Sequence, residues 1–239
     1  MVKKLPELSV FFPFWNEENN IEEVISRALS VAPKIADKWK IIMVDDGSSD
    51  RTLEIASSLV ASNENLRVVS LHPNRGYGAA LKAGFENSKY DYVVFTDGDL
   101  QFDFSEITKF IDEIDNADIV IGYRKKRRDR NILKRLLLMN LLKIGDYILF
   151  GIRFKDIDCG FKMFRKSAIE AISPLRSEGA MITTEILAKA IRKKLRIKEV
   201  GVEHYVRQHG VQTGANIPVI VRAILESLTL WLDIRNKRI

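Results

Sequence analysis

The densest chemistry in the chain lies in Thr96-Asp97-Gly98-Asp99-Leu100-Gln101. The apolar run Tyr92-Val93-Val94-Phe95 before it predicts a buried strand whose C-terminal end delivers two carboxylates to a sheet edge. Open α/β sheets bind their ligands at that edge. Gly98 lets the backbone fold tightly enough for both carboxylates to face one point. Like charges that close repel unless a cation lies between them. A hard divalent cation, Mg2+ or Mn2+, suits oxygen donors and leaves coordination positions open for phosphate oxygens. An Asp pair does not separate the two metals, and the same composition also makes ordinary polar turns.

The elements around this turn read as alternating strands and helices. Leu8–Phe12 predicts a first buried strand, stopped by Pro13, with Asn16 as N-cap and Glu17 and Glu18 in the first turn of a helix carrying Ile21, Val24, Ile25, Ala28 and Leu29. Lys40–Val44 predicts a second strand, followed by the loop Asp45-Asp46-Gly47-Ser48-Ser49-Asp50. A helix with Leu53, Ile55, Ala56, Leu59 and Val60 comes next, then a third strand at Arg67–Ser70. Such alternation implies parallel pairing and a nucleotide-binding α/β half. Ser49 or Asp50 could cap the second helix, but capping needs neither Asp45 nor Asp46. A carboxylate at that strand end can accept hydrogen bonds from a ribose or base. Asn74-Arg75-Gly76-Tyr77-Gly78 opens a small-residue helix. It has two readings: close approach to a nucleotide, with Arg75 on a phosphate, or close packing of helix on sheet.

Composition bounds the rest. The 239 residues, 46% of them hydrophobic, suffice for one large α/β domain. Cys159 is the single cysteine, which excludes a disulfide framework and any Cys/His metal site built around it. The start, Met1–Glu7, lacks the apolar stretch of a signal peptide, so the active face is expected in the cytoplasm. His72, His204 and His209 lack metal-ligand spacing. The formal charge of +6 is unevenly placed: Arg124 to Arg135 holds eight basic residues against Asp129 alone, and the very apolar stretch Ile132–Phe150 overlaps it. Lys134, Arg135, Lys143 and Asp146 spoil a spanning helix there. Basic residues beside an apolar helix suit an anionic membrane surface, although a core helix or a solvated loop would look similar. Ile217–Ile234 predicts an amphipathic C-terminal helix, with Trp231 near the basic tail Arg235, Lys237 and Arg238, fit for the same surface or for packing on the domain.

Four motifs in order resemble the family 2 glycosyltransferases of the GT-A fold, and within them the dolichyl- and polyprenyl-phosphate sugar transferases. They are Phe12-Pro13-Phe14-Trp15-Asn16-Glu17, with Trp15 where Tyr is usual; Asp45–Asp50; Asn74-Arg75-Gly76; and Asp97-Gly98-Asp99-Leu100-Gln101, which is similar to the family's D-x-D-L-Q metal motif. Looser matches follow at Asp118–Arg124, Asp156–Phe164, Thr183–Leu187 and Ile197–Val202, then Arg207-Gln208-His209-Gly210. Val211–Asn216 stands where many relatives carry a Ser-Lys pair.

The resemblance implies an α/β, mixed but mostly parallel GT-A sheet flanked by helices and closed by the amphipathic C-terminal helix. It divides the chain into a transferase domain over 1–215, with a nucleotide-binding half at about 5–125 and an acceptor half at about 126–215, and the helix and tail over 216–239. It implies Asp97, Asp99 and Gln101 as metal residues, and Pro13, Asn16, Glu17, Asp45, Asp46, Arg75, Gly76 and Asp97 for the nucleotide sugar. Asp99 and Gln101, with Asp158 and Glu185 as candidate bases, form the catalytic set, and Arg124, Lys162 and Arg207 would meet an acceptor phosphate. The activity implied is inverting transfer of mannose or glucose from a GDP-mannose or UDP-glucose type donor to a polyprenyl or dolichyl phosphate. It would take place with the protein peripheral at the inner face of the membrane and with no nucleic acid involved. A hydroxyl acceptor on a glycan or small molecule is the alternative. More distant is a non-catalytic protein on the same fold that binds an anionic surface or nucleic acid.

Overall fold

The computed structural model of the chain describes residues 3–126, 145, 147–210 and 226–233. The basic run beyond Lys126, most of the apolar stretch after it and most of the C-terminal segment lie outside the described residues. Seven strands are described: β1 (Leu5–Phe14), β2 (Ala36–Asp45), β3 (Leu66–Ser70), β4 (Tyr92–Thr96), β5 (Ile119–Arg124), β6 (Phe161–Arg165) and β7 (Ile197–Val202). They form one sheet in the order β3-β2-β1-β4-β6-β5-β7. β6 runs antiparallel to both neighbours, and every other pairing is parallel. One consequence organises the function: β5 and β7 point the same way as β1, β2 and β4. The loops leaving those five strands and the turn entering β6 therefore gather at a single edge.

Helices α1 (Ile21–Ile35), α2 (Thr52–Ser62), α3 (Tyr77–Asn87), α4 (Ile107–Glu113), α5 (Lys166–Ile172) and α6 (Ile182–Arg192) cover both faces of the sheet. Strand side chains alternate between faces, and β1 shows the division. Leu8, Val10 and Phe12 pack in a core with α1, Ala56 of α2 and α4, while Phe11 joins the opposite core with α3, α5 and α6. Helix α3 approaches β1 so closely that a Cβ on Gly84 would come within 2.3 Å of the Phe11 ring.

Two expectations at the start of the chain change. β1 continues through Pro13 to Phe14, where Pro13 is paired with Val44. Phe14 O accepts from Asp46 N on the β2 side. By alternation, Pro13 turns its missing N–H toward β4, whose pairing with β1 has already ended at Phe11. Helix α1 begins at Ile21 rather than after Asn16, so Glu22 and Glu23 occupy its first turn. Asn16 is held out of the helix by a left-handed backbone, φ 55°, and its carboxamide oxygen accepts from Ser49 N at 2.7 Å.

In the C-terminal stretch, residues 226–233 are helical. Ser227 and Leu230 are buried, Ser227 donating to Met181 Sδ at 3.5 Å, while Leu228 and Leu232 are about half exposed, at 47% and 49%. Arg176 pairs with Asp233 at 3.6 Å. One face of this stretch thus lies on the domain and the other meets solvent. Among the described residues no helix is long and apolar enough to cross a membrane.

Candidate active site

At the shared edge, the loop leaving β1 is laced to the loop leaving β2. Asn16 N donates to Ser48 Oγ at 3.0 Å, Glu17 N to Thr52 Oγ1 at 2.8 Å and Glu18 N to Asp50 Oδ2 at 3.1 Å. Asp50 also accepts from Thr52 N at 2.9 Å, so it serves the start of α2. The adjacent acids divide their work. Asp45 accepts from Ser70 Oγ at 3.2 Å and from Ser48 N. Asp46 gathers the turn before α3, accepting from Asn74 Nδ2 at 2.9 Å, Arg75 N at 2.9 Å and Gly76 N at 2.8 Å. Burial raises the Asp46 pKa, while the Arg75 and Gly76 amides pull against it.

The N-terminus of α3 packs on a loop. Gly78 N and Ala79 N donate to Glu178 O at 2.8 and 3.2 Å, and a Cβ on Gly78 would come within 2.6 Å of Ser177 O. Arg75 extends its guanidinium to the Glu178 carboxylate. Of the two readings of this turn, the contacts observed are those of close packing.

The carboxylate turn sits between these loops and the one leaving β7. Asp97 N donates to Gly160 O at 3.1 Å, and Asp97 Oδ1 accepts from the Tyr77 hydroxyl at 2.9 Å. Leu100 is forced to φ 62°, a conformation that costs a bulky residue about 1–2 kcal/mol. It turns Gln101 N back onto Asp99 Oδ1 at 3.1 Å. Gln101 is thereby a tie: its Nε2 donates to Tyr205 O at 3.1 Å, and Tyr205 N donates to Gln101 O at 2.9 Å. Arg207, from the loop so fastened, donates through Nη1 to Asp99 Oδ2 at 3.1 Å, through Nη2 to Glu17 Oε1, and through Nε to His209 O at 2.7 Å. Gly210, at φ 84°, leaves space for that guanidinium, which a Cβ would approach to 2.4 Å.

Burial and the facing Asp99 charge raise the Asp97 pKa to about 7. Burial likewise raises Asp99, with Gln101 N and Arg207 opposing. Two desolvated carboxylates, one already satisfied by an organic cation, form an oxygen donor set that fits a hard divalent ion. Among the described residues no group of three or more His, Cys, Asp or Glu side chains comes together as a metal cage. Mg2+-type ions use one or two carboxylates and take the rest of their ligands from water and phosphate.

Three other expected site residues are engaged elsewhere. Arg124 is locked to Asp156 by Nε at 2.6 Å and Nη2 at 2.8 Å, with both side chains nearly buried. Lys162 is fully buried in β6 and donates to the carbonyls of Ile157, at 3.0 Å, and Cys159. Neither presents a free cation to a phosphate. Glu185 is fully buried as well. It accepts from Arg176 N at 2.9 Å, Ser177 N at 2.7 Å and Lys189 Nζ at 2.7 Å. Burial works against its charge, but Lys189 and the two amides prevail and its pKa is lowered. This carboxylate anchors the 174–178 loop. Glu185→Gln should therefore lower the melting temperature while leaving transfer within a few-fold of the unaltered rate, read by differential scanning fluorimetry alongside product formation; a loss of about 10² or more without destabilisation would restore it as a base. Asp158 is exposed, in the turn that brings Gly160 against Asp97.

The chain is 35% identical over 219 residues to the dolichyl-phosphate beta-glucosyltransferase of Saccharomyces cerevisiae, covering 82% of this chain and 66% of that one. It is 31% identical over 236 residues to the dodecaprenyl-phosphate galacturonate synthase of Rhizobium johnstonii, covering 97% and 68%. The chain thus spans about two thirds of the length of the curated relatives it matches. Among solved structures, the glucosyl-3-phosphoglycerate synthase of Mycobacterium tuberculosis, crystallised with Mn2+, UDP and its product, superposes with a TM-score of 0.64 over 95% of this chain and 80% of that one. At 22% identity that likeness shows the fold. Residues 9–173 match the family model for glycosyl transferase family 2, and with the two relatives this establishes that the chain belongs to that family.

Proposed function

We propose that this chain transfers a hexose, with inversion, from a nucleotide diphosphate sugar to a polyprenyl or dolichyl phosphate. The observation that carries the reading is the Asp97–Asp99 pair at the strand edge, flanked on one side by the Asn16–Asp50 lacework and on the other by Arg207. The names of the two relatives, a dolichyl-phosphate beta-glucosyltransferase and a dodecaprenyl-phosphate galacturonate synthase, support the lipid acceptor.

Asp97 and Asp99 would hold Mg2+ or Mn2+. When bound, the ion neutralises the diphosphate as it leaves the sugar. Gln101 keeps the turn in shape. Pro13, Asn16 and Glu17 with Asp45 line the nucleoside side, where the Asp45 carboxylate retains acceptor capacity for a base or ribose. The bond between the anomeric carbon and the diphosphate oxygen breaks as an acceptor oxygen bonds from the opposite face, which inverts the centre. A phosphate acceptor is already anionic near neutral pH and needs cations to position it rather than a base. Arg207, the exposed Lys126 and the exposed Lys125, which pairs with Glu203 at 3.2 Å, are cations on the loops of this edge that would position it. The exposed Leu228 and Leu232 beside Trp231 would rest against the inner face of the membrane.

The exposed Asp158 carboxylate favours a second reading, general-base transfer to a hydroxyl. The purified chain supplied with a panel of labelled nucleotide sugars, polyprenyl phosphate in detergent and Mn2+ should place label in the organic phase from one donor. Label confined to water-soluble product would move the assignment to hydroxyl acceptors.

A further inference from the structure

Tyr77 is the strongest unassigned contact of the site, and nothing in the sequence distinguishes it from any first residue of a helix. Its backbone position is fixed from the nucleoside side: Asp46 holds Gly76 N at 2.8 Å, Gly76 lies at φ 101°, and the next residue opens α3. Glu178 O caps the following amides, so the helix start cannot slide along its axis. From that fixed point the Tyr77 hydroxyl donates to Asp97 Oδ1 at 2.9 Å. The other oxygen is backed by Gly160, where a Cβ would come within 1.9 Å of Asp97 Oδ2 and 2.5 Å of Oδ1. A hydroxyl on one oxygen and a bare backbone against the other leave this carboxylate one orientation. An ionised carboxylate offers about four acceptor positions, so the bond to Tyr77 leaves capacity for an ion.

We infer that Tyr77 is a positioning residue for the divalent cation: it orients Asp97 and links that orientation to the nucleoside-side turn through Asp46 and Gly76. The inference rests on the metal reading of Asp97 and Asp99. It deepens that reading by coupling the two sides of the donor site through one phenol. Outer-shell hydrogen bonds to ligating groups commonly govern affinity by about 10–100-fold.

The test is titration of Mn2+ alone into the full chain, followed by electron paramagnetic resonance, for the unaltered protein, Tyr77→Phe and Asp99→Ala. Phe keeps the ring and its packing. The expected result is that Tyr77→Phe melts close to the unaltered protein, binds Mn2+ about 10-fold more weakly, and shows an altered spectrum for the ion that does bind. Gly160→Ala, which displaces the same carboxylate from its other side, should weaken binding in the same direction. Unchanged Mn2+ affinity and spectrum in Tyr77→Phe, with or without a fall in melting temperature, would overturn the positioning role. If the unaltered chain binds Mn2+ no better than Asp99→Ala does, the metal reading itself fails and takes this inference with it.

Discussion

Asp99→Ala is expected to cut sugar transfer by on the order of 10³-fold while the chain still folds. The size follows from removing one of two carboxylates that would hold the cation, whose charge stabilisation is worth several kcal/mol in the transition state. Retained folding follows from what Asp99 holds. Arg207 keeps Glu17 and the His209 carbonyl, and Gln101 keeps both of its bonds to Tyr205, so the loop leaving β7 stays fastened. The lost bond to Gln101 N and the lost pairing with Arg207 cost about 1–3 kcal/mol of stability. Initial rates of organic-soluble product, measured beside a thermal melt, check both halves. Transfer within a few-fold of the unaltered rate would sink the metal assignment.

The largest expected loss of stability belongs to Asp156→Ala. Arg124 is nearly buried and donates both Nε and Nη2 to this carboxylate, so the substitution strands a desolvated guanidinium. Removing one partner of a buried pair costs about 3–5 kcal/mol, which for a chain of this size lowers the melting temperature by on the order of 10 °C. The joint change Arg124→Met with Asp156→Leu should recover most of that loss, because it removes both charges together. Calorimetric melts of the three variants decide the matter. Had Arg124 been a phosphate-binding cation, Asp156→Ala would free it, strengthening acceptor binding with little loss of stability.

Those two residues show where sequence reasoning succeeded and where it stopped. Strand and helix periodicity made the β1–β4 half legible, because a buried strand beside an amphipathic helix leaves a strong pattern. Ile197–Val202 was marked only by the family resemblance, and it is the half-buried strand β7. β6 was less legible. Phe161-Lys162-Met163-Phe164-Arg165 puts a lysine into a fully buried strand, and only the carbonyls of Ile157 and Cys159, supplied by its own entering turn, make that tolerable. The carboxylates of the site were visible as a spaced pair at a strand end. For the cations a sequence shows charge but not partners: Arg124 and Lys162 are held inside the fold, while the exposed Arg75 pairs with Glu178. The bridge from Arg207 to Glu17 joins residues 190 positions apart, which no local pattern encodes. Tyr77 carried no signal, since its function depends on a helix start being pinned against the β4 turn.

The central claim is that Asp97 and Asp99 bind the donor's diphosphate through a divalent cation. Isothermal titration of UDP and of GDP into the purified, chelator-treated chain, with and without Mn2+, tests it most directly. One nucleotide should bind strongly with Mn2+ present, and that binding should vanish when Mn2+ is withheld or Asp99 is replaced by alanine. Equal binding with and without the metal, or undiminished binding in Asp99→Ala, would contradict it.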